Sequence, residues 1–278
     1  MLFNENIGRI SLLNGSIIDS NKLSIYEDEE YKAYYEVIRI IDKVPLFFDE
    51  HFARLSSSLK MGARELVITK AQLREQISEV CKLNNYEVCN IKVIVLEKDQ
   101  EAQKCILFIN KFYYPEQEQY DKGIKCCLAN VKRTNPNIKI INHEYKATIK
   151  KIFDENGCFE VLLVDDGRIT EGSKSNAFFV IGNRIYTAPG DYVLKGITRQ
   201  YVLDVCKNLG YELIETLIGL DTLNKVDAAF ITGTSINVLP IAQINDLKFD
   251  STNNDVVRHM MHGYNEMLSN YVKIRQKY

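Results

Sequence analysis

The residue types that could do chemistry in this 278-residue chain gather in its second half, and most of them suit an anion. Gly196-Ile197-Thr198 stands where a loop enters a helical pattern, so backbone N–H groups and a hydroxyl face outward. Gly233-Thr234-Ser235 ends the strand pattern VDAAFIT and offers a second set of amides and hydroxyls. Together they suit a phosphate, and Arg54 supplies a guanidinium that could neutralise one. Taken singly, Thr198 is equally a helix cap, Gly233–Ser235 a turn and Arg54 a solvated arginine. Glu171, inside TEGSKSN, is sharper: it follows an apolar strand and precedes small hydroxyl residues. Such a carboxylate lies either at an exposed strand end or in a site. Lys139, Lys146, Lys150 and Lys151 are among the amines in the preceding stretch. The chain has no nucleophile elbow, Walker loop, dinucleotide glycine turn or HExxH, which removes the commonest enzyme classes.

The elements that must position these residues fall into two groups. Asn14-Gly15 between ISLL and SIID predicts a two-residue hairpin, and Asp42-Lys43 joins YYEVIRI to VPLFF as a second strand pair. From Asp49 the period becomes helical, with Phe52, Leu55 and Leu59 on one face and His51 and Arg54 projecting together on another. A second helix starts at Thr69, where Gln72 completes a capping box, and buries Leu73, Ile77, Val80 and Cys81. IKVIVLE and KCILFINKF read as buried strands. The polar run from Pro115 to Gly123 predicts a linker, so domains are expected at 1–118 and 124–278 with 119–123 between them.

Beyond it come the strand IKCCLANV and a helix carrying Tyr145, Ile149, Ile152 and Phe153, capped by Gly157. Hairpins turn at Asp166-Gly167 and Gly182-Asn183. A helix from about Thr198 to Gly210 is expected to bury Val202, Val205, Cys206 and Leu209. A terminal helix from about Asp255 presents Met260, Tyr264, Met267, Leu268 and Tyr271. Strands joined by short turns, with helices between groups, define an α+β class in two domains.

Composition bounds the partners. Apolar residues make up 46% and charged residues 26%, enough for sizeable cores. A formal net charge of −2 gives no reason to expect nucleic acid or an anionic membrane. There is no apolar run of the roughly 18 residues that would span a bilayer, and the start MLFNENIGRI lacks a signal-peptide pattern. Seven cysteines with no CxxC pair predict reduced core thiols in a cytoplasmic protein. His259 and His262 lie three apart without a further ligand nearby, so no metal is expected.

ITEGSKSNAFF at 169–179 resembles the signature of the class IV aminotransferases, the family of branched-chain and D-amino-acid aminotransferases and aminodeoxychorismate lyase. The resemblance covers nearly the whole sequence. LKGITR at 194–199 and ITGTS at 231–235 are similar to the family's other phosphate segments, and YYEVIR followed by EHFARL is similar to its N-terminal pattern. The family's cofactor lysine lies 32 positions before the glutamate of TEG, which is Lys139 in Lys139-Ile140-Ile141-Asn142.

The resemblance implies a two-domain fold-type IV enzyme of pyridoxal 5'-phosphate (PLP), with a small N-terminal α/β sandwich-like domain and a larger C-terminal pseudo-barrel. It implies Lys139 and Glu171 as catalytic residues and Arg54, Ser173, Ile197, Thr198, Thr234 and Ser235 as further cofactor ligands. It places Tyr35, Arg39 and Lys98 at the substrate pocket, near an interdomain site in a homodimer. The implied reaction moves an amino group between an amino acid, with branched-chain ones among the candidates, and a 2-oxo acid; PLP-dependent aminodeoxychorismate lyase chemistry, releasing pyruvate, is the alternative. Departures bear on specificity. EDEEYKAYYE replaces the family's G-D-G before Tyr35-Glu36, predicting a different course for that loop. Glu97-Lys98-Asp99-Gln100 lacks the arginine of the D-specific enzymes, and Glu36-Val37-Ile38-Arg39 matches only in part the E-G-I-R motif of the branched-chain enzymes. The lyases often carry Thr where this sequence has Glu36, which favours transamination.

Overall fold

A computed structural model describes residues 2–28 and 30–276, so Glu29, within the altered first loop, lies outside the described residues. The chain divides into two compact units. One comprises Met1–Tyr113, Ile138–His143 and Asn270–Tyr278, the other Tyr114–Asn137 and Glu144–Ser269.

In the first unit the strands β1 (Ile10–Leu13), β2 (Ser16–Asp19), β3 (Lys32–Ile41), β4 (Val44–Pro45), β5 (Cys89–Glu97) and β6 (Lys104–Asn110) form one sheet. Their order is β2-β1-β6-β5-β3-β4, with every pairing antiparallel. The tight turns form where expected because Asn14-Gly15 and Asp42-Lys43 all take positive φ, the geometry that two-residue hairpins need. Helices α1 (Phe48–Met61) and α2 (Lys70–Asn84) cover one face, and α2 opens on the Thr69–Gln72 capping box. Leu55, Leu59, Leu73, Ile77 and Val80 pack there against Ile38, Ile91, Val93 and Val95. The other face carries a second cluster, in which Leu2, Phe3 and Leu23 lie with Ile94, Leu96 and Phe108. Consecutive residues of β3 therefore serve different cores. Tyr34, Glu36 and Ile38 face the helices, while Tyr35, Val37 and Arg39 face the opposite way.

The second unit begins with α3 (Gln117–Lys122), a helix that fills most of the stretch expected as a linker. The Pro115–Gly123 run is polar, but Glu116 and Gln119 form a capping box, and Gly123 closes the helix with φ 74°. Then follow β7 (Ile124–Asn130), α4 (His143–Asn156), β8 (Glu160–Asp165), β9 (Arg168–Gly172), β10 (Asn176–Ile181), β11 (Arg184–Thr187), α5 (Ile197–Asn208), β12 (Glu212–Glu215) and β13 (Ile218–Gly219). Last come β14 (Ala228–Gly233), β15 (Asn237–Ile244), β16 (Leu247–Lys248) and α6 (Asp255–Arg275). Nine of these strands form a sheet in the order β12-β11-β10-β14-β15-β7-β8-β9-β13, with β16 against β15. The sheet curls into a half-barrel.

Two expectations are corrected. Leu209 is 45% exposed, because it is the C-cap of α5 and has left the helix's apolar stripe. Cys127 on β7 and Cys158, just before β8, form a disulfide, since the two parallel strands bring their Cα atoms to 6.0 Å. The other five cysteines are free and buried. No described helix is long and apolar enough to cross a membrane.

Candidate active site

Lys139 belongs to the first unit because its backbone is tied to that unit's sheet and helix. Its carbonyl accepts from Tyr35 N at 3.0 Å, its N–H donates to Ser58 Oγ at 3.1 Å, and Ile141 N donates to Ala33 O at 2.8 Å. The segment thus lies along the edge of β3, with a bridge between Tyr34 and Ile140. The Lys139 ammonium stands 4.6 Å from the centroid of the Tyr35 ring, a cation–π distance.

On the opposite side of β3, Glu36 is buried under α1. The Arg54 fork grips it through Nε and Nη2, each at 2.7 Å, and His51 Nδ1 lies 2.7 Å from the same carboxylate. Burial pushes the Glu36 carboxyl up, but the charge and hydrogen bonds of Arg54, with the hydrogen bond of His51, outweigh it. The carboxyl is held well below its usual range. Burial lowers the His51 pKa against the pull of Glu36, so the ring is neutral near pH 7. Since the carboxylate can only accept, the neutral ring carries its proton on Nδ1.

The second unit holds Glu171 at the end of β9. Glu171 is 2% exposed: Arg133 Nη1 donates to Oε1 at 3.0 Å and Leu194 N to Oε2 at 2.9 Å. Across the hairpin, the buried Glu160 carboxylate organises the turn that follows. It accepts from Ser173 N and Oγ (3.2 and 2.6 Å), Lys174 N (3.3 Å), Ser175 Oγ (2.8 Å) and Val161 N (2.8 Å). Gly172 makes this turn possible, since a Cβ there would lie 2.0 Å from Ser175 Oγ. Gly196 is equally constrained at the start of α5, where a Cβ would lie 2.1 Å from Asn176 Oδ1. Ile197 and Thr198 are buried in that first turn, while Thr234 and Ser235 are half-buried just beyond β14.

The structure thus joins Lys139 to Tyr35, and Arg54 to Glu36, in one unit. Glu171, Ser173, Ile197, Thr198, Thr234 and Ser235 lie in the other. Arg39 shares the face of Tyr35. Lys98 stands apart from them, held by Asp28 at 3.0 Å, Glu30 at 2.7 Å and Glu101 at 3.5 Å. Sequence reasoning missed Glu160, the His51–Glu36 pair and Arg133. Glu160 was reachable by extending the β8–β9 register outward from Asp166-Gly167. The His51–Glu36 pair was reachable from the helix face that His51 shares with Arg54. Arg133 lies in an irregular stretch and gave no periodic signal.

Each unit holds donors of a kind that PLP takes: a lysine amine in the first, and in the second a buried carboxylate with fixed oxygens and backbone amides at the start of a twelve-residue helix. The amino-transferase class IV family model matches residues 33–244. The chain is 30% identical over 248 residues to D-alanine aminotransferase of Bacillus licheniformis, covering 84% of this chain and 88% of that protein. It is 29% identical to a putative branched-chain-amino-acid aminotransferase of Methanocaldococcus jannaschii, covering 84% and 87% of the two proteins. The fold is similar to the branched-chain amino acid aminotransferase of T.th. solved with pyridoxamine 5'-phosphate, with TM-score 0.83, 24% identity and 95% of both proteins covered. The family match runs from β3 to the end of β15 and encloses Lys139, Glu171, Thr198 and Thr234, so this chain belongs to the class IV aminotransferases.

Proposed function

We propose that the chain is a PLP-dependent transaminase acting on an amino acid and a 2-oxo acid, with Lys139 as the lysine that bonds the cofactor. The observation that carries this reading is the burial of Glu171. A carboxylate that pattern alone would leave at a strand end is enclosed, with both oxygens held. Arg133 balances its charge and the Leu194 amide fixes its direction, an expensive arrangement unless the carboxylate has a task.

When bound, PLP supplies an electron sink for the carbanion left as the substrate loses its α-proton. Glu171 would accept a hydrogen bond from the pyridine N–H and so favour the protonated nitrogen. Lys139 would bond the cofactor and, once released by substrate, would be the general base for the substrate α-proton. The amides around Ile197 and Ser235, with the hydroxyls of Ser173, Thr198 and Thr234, hold cofactor oxygens. Arg54 would contribute its positive charge to the same group while its fork stays on Glu36. Tyr35 orients the Lys139 ammonium and, with Arg39, lines the substrate side. The homodimer belongs to the same proposal and rests on the family resemblance.

Borohydride reduction of the PLP-loaded protein followed by peptide mapping should find the label on Lys139; labelling of Lys146 or Lys150 instead would displace every assignment above. A suitable amino acid alone should then convert the cofactor stoichiometrically to pyridoxamine phosphate, and 2-oxoglutarate should reverse it. An unchanged cofactor, with pyruvate released from aminodeoxychorismate, would replace transamination by the lyase reaction.

A further inference from the structure

Lys92 is a buried charge for which the mechanism above has no use. It sits mid-strand on β5, opposite Val37 on β3 and Phe108 on β6, and is 1% exposed. An ammonium flanked by apolar side chains is costly unless paired. Its partner is Glu5, whose Oε2 lies 2.5 Å from Nζ. Glu5 comes from the segment before β1, and its side chain is 38% exposed. That segment is held along β6 by Ile7 N donating to Ile109 O and Lys111 N donating to Glu5 O. The Lys92 ammonium therefore ends at a carboxylate that water can reach.

Lys92 Nζ also lies 5.5 Å from the centroid of the Tyr35 ring, the ring that carries Lys139 Nζ at 4.6 Å. The two ammonium nitrogens are thus no more than about 10 Å apart, on one aromatic ring. Amino acids and 2-oxo acids all present a carboxylate a few bonds from the reacting carbon. A buried cation at this distance from the reacting amine, already holding a carboxylate, is matched to them.

We propose that Lys92 anchors a substrate carboxylate, which takes the place of Glu5. The exchange swaps one ion pair for another, so no charge is left buried and unpaired, and Glu5 turns outward to solvent. Arg39, diagonal to Lys92 in the β3–β5 ladder, adds positive charge on the same face. This rests on the aminotransferase reading and assigns the recognition role expected of Lys98 to Lys92 instead.

The test uses PLP-loaded protein and two probes, pyruvate and 2-oxoglutarate, with affinity measured by calorimetry and cofactor linkage by reduction and mapping of Lys139. Lys92→Met should weaken binding of at least one probe roughly 10- to 100-fold, the scale of a lost charge-assisted bond, with Lys139 still labelled. Lys92→Arg should recover part of it. Equal weakening for both probes assigns the α-carboxylate, and weakening for 2-oxoglutarate alone assigns the distal one. Glu5→Gln should tighten binding, because it removes the competitor while keeping the cation. Unchanged probe affinity in Lys92→Met overturns the proposal, as does absence of probe binding to the wild type. If Lys92→Met does not fold, unchanged or weakened binding in Glu5→Gln overturns it. An unlabelled Lys139 in every variant would sink the aminotransferase reading, while the probe affinities would still decide the role of Lys92.

Discussion

Arg54 has two obligations, and they set opposite limits on what its removal reveals. Its fork neutralises the buried Glu36, so Arg54→Ala should cost about 3–5 kcal/mol of folding stability, the scale of stranding one member of a buried pair. Adding Glu36→Gln should restore much of that, since the stranded charge is gone, without restoring cofactor affinity. Denaturant melts of the single and double variants check this, and a double variant no more stable than Arg54→Ala would show that the pairing is energetically silent. Cofactor retention in Arg54→Ala is therefore to be measured under conditions where the variant is folded. Glu171→Gln is the cleaner probe of chemistry, being nearly isosteric. We expect kcat and kcat/KM to fall together while PLP is retained, the signature of an interaction that strengthens in the transition state. Steady-state kinetics with kcat near wild type would remove Glu171 from the reaction.

Among the elements, what could be read in advance was what is decided locally. The Asn14-Gly15 and Asp166-Gly167 turns were legible because positive φ demands those residue types, and α2 because Thr69 and Gln72 satisfy its first amides. The helix α3 was not, since it buries no residue and has no apolar stripe to betray it. Nor was the burial of Lys92, because Leu2 and Phe3, far away in sequence, help cover that face of the sheet. The role of Lys139 came from resemblance, whereas the Glu160-centred turn depends on a side-chain network that spacing alone does not spell out. That turn makes a sharp prediction. Gly172→Ala would drive a methyl against Ser175 Oγ and Glu160, costing about 1–3 kcal/mol as an overpacked site does. Because the turn follows directly on Glu171, turnover should fall along with thermal stability. A variant with unchanged melting temperature would mean that the turn relaxes without penalty.

For the molecule as a whole, Glu36 and His51 predict how stability responds to acid. The folded-state pKa of His51 lies below its usual 6.5, so below pH 6.5 the unfolded state takes up a proton that the folded state refuses. Stability therefore declines as pH falls through that window. The Glu36 pKa is likewise depressed below its usual 4.5; its contribution is full above pH 4.5 and is lost as pH falls towards the folded value. Both act in one direction, giving a melting temperature that slips from about pH 6.5 and drops more steeply below about pH 4.5. His51→Gln should flatten the first slope and leave the second. A melting temperature that is level from pH 7 to pH 5 in the wild type would contradict the assignment of a neutral buried His51.

The six residues Ile138–His143 belong to the first unit although the residues on both sides of them belong to the second. Heredity has to treat the two units accordingly. A recombination event that joined the first 118 residues of this protein to the remainder of a diverged relative would pair one parent's β3 with the other parent's lysine segment. The bonds from Tyr35 N to Lys139 O and from Ile141 N to Ala33 O would then have to form between backbones selected apart. Crossovers that keep 33–35 and 138–143 from the same parent should be the ones that survive in a shuffled library, wherever else the sequences are cut.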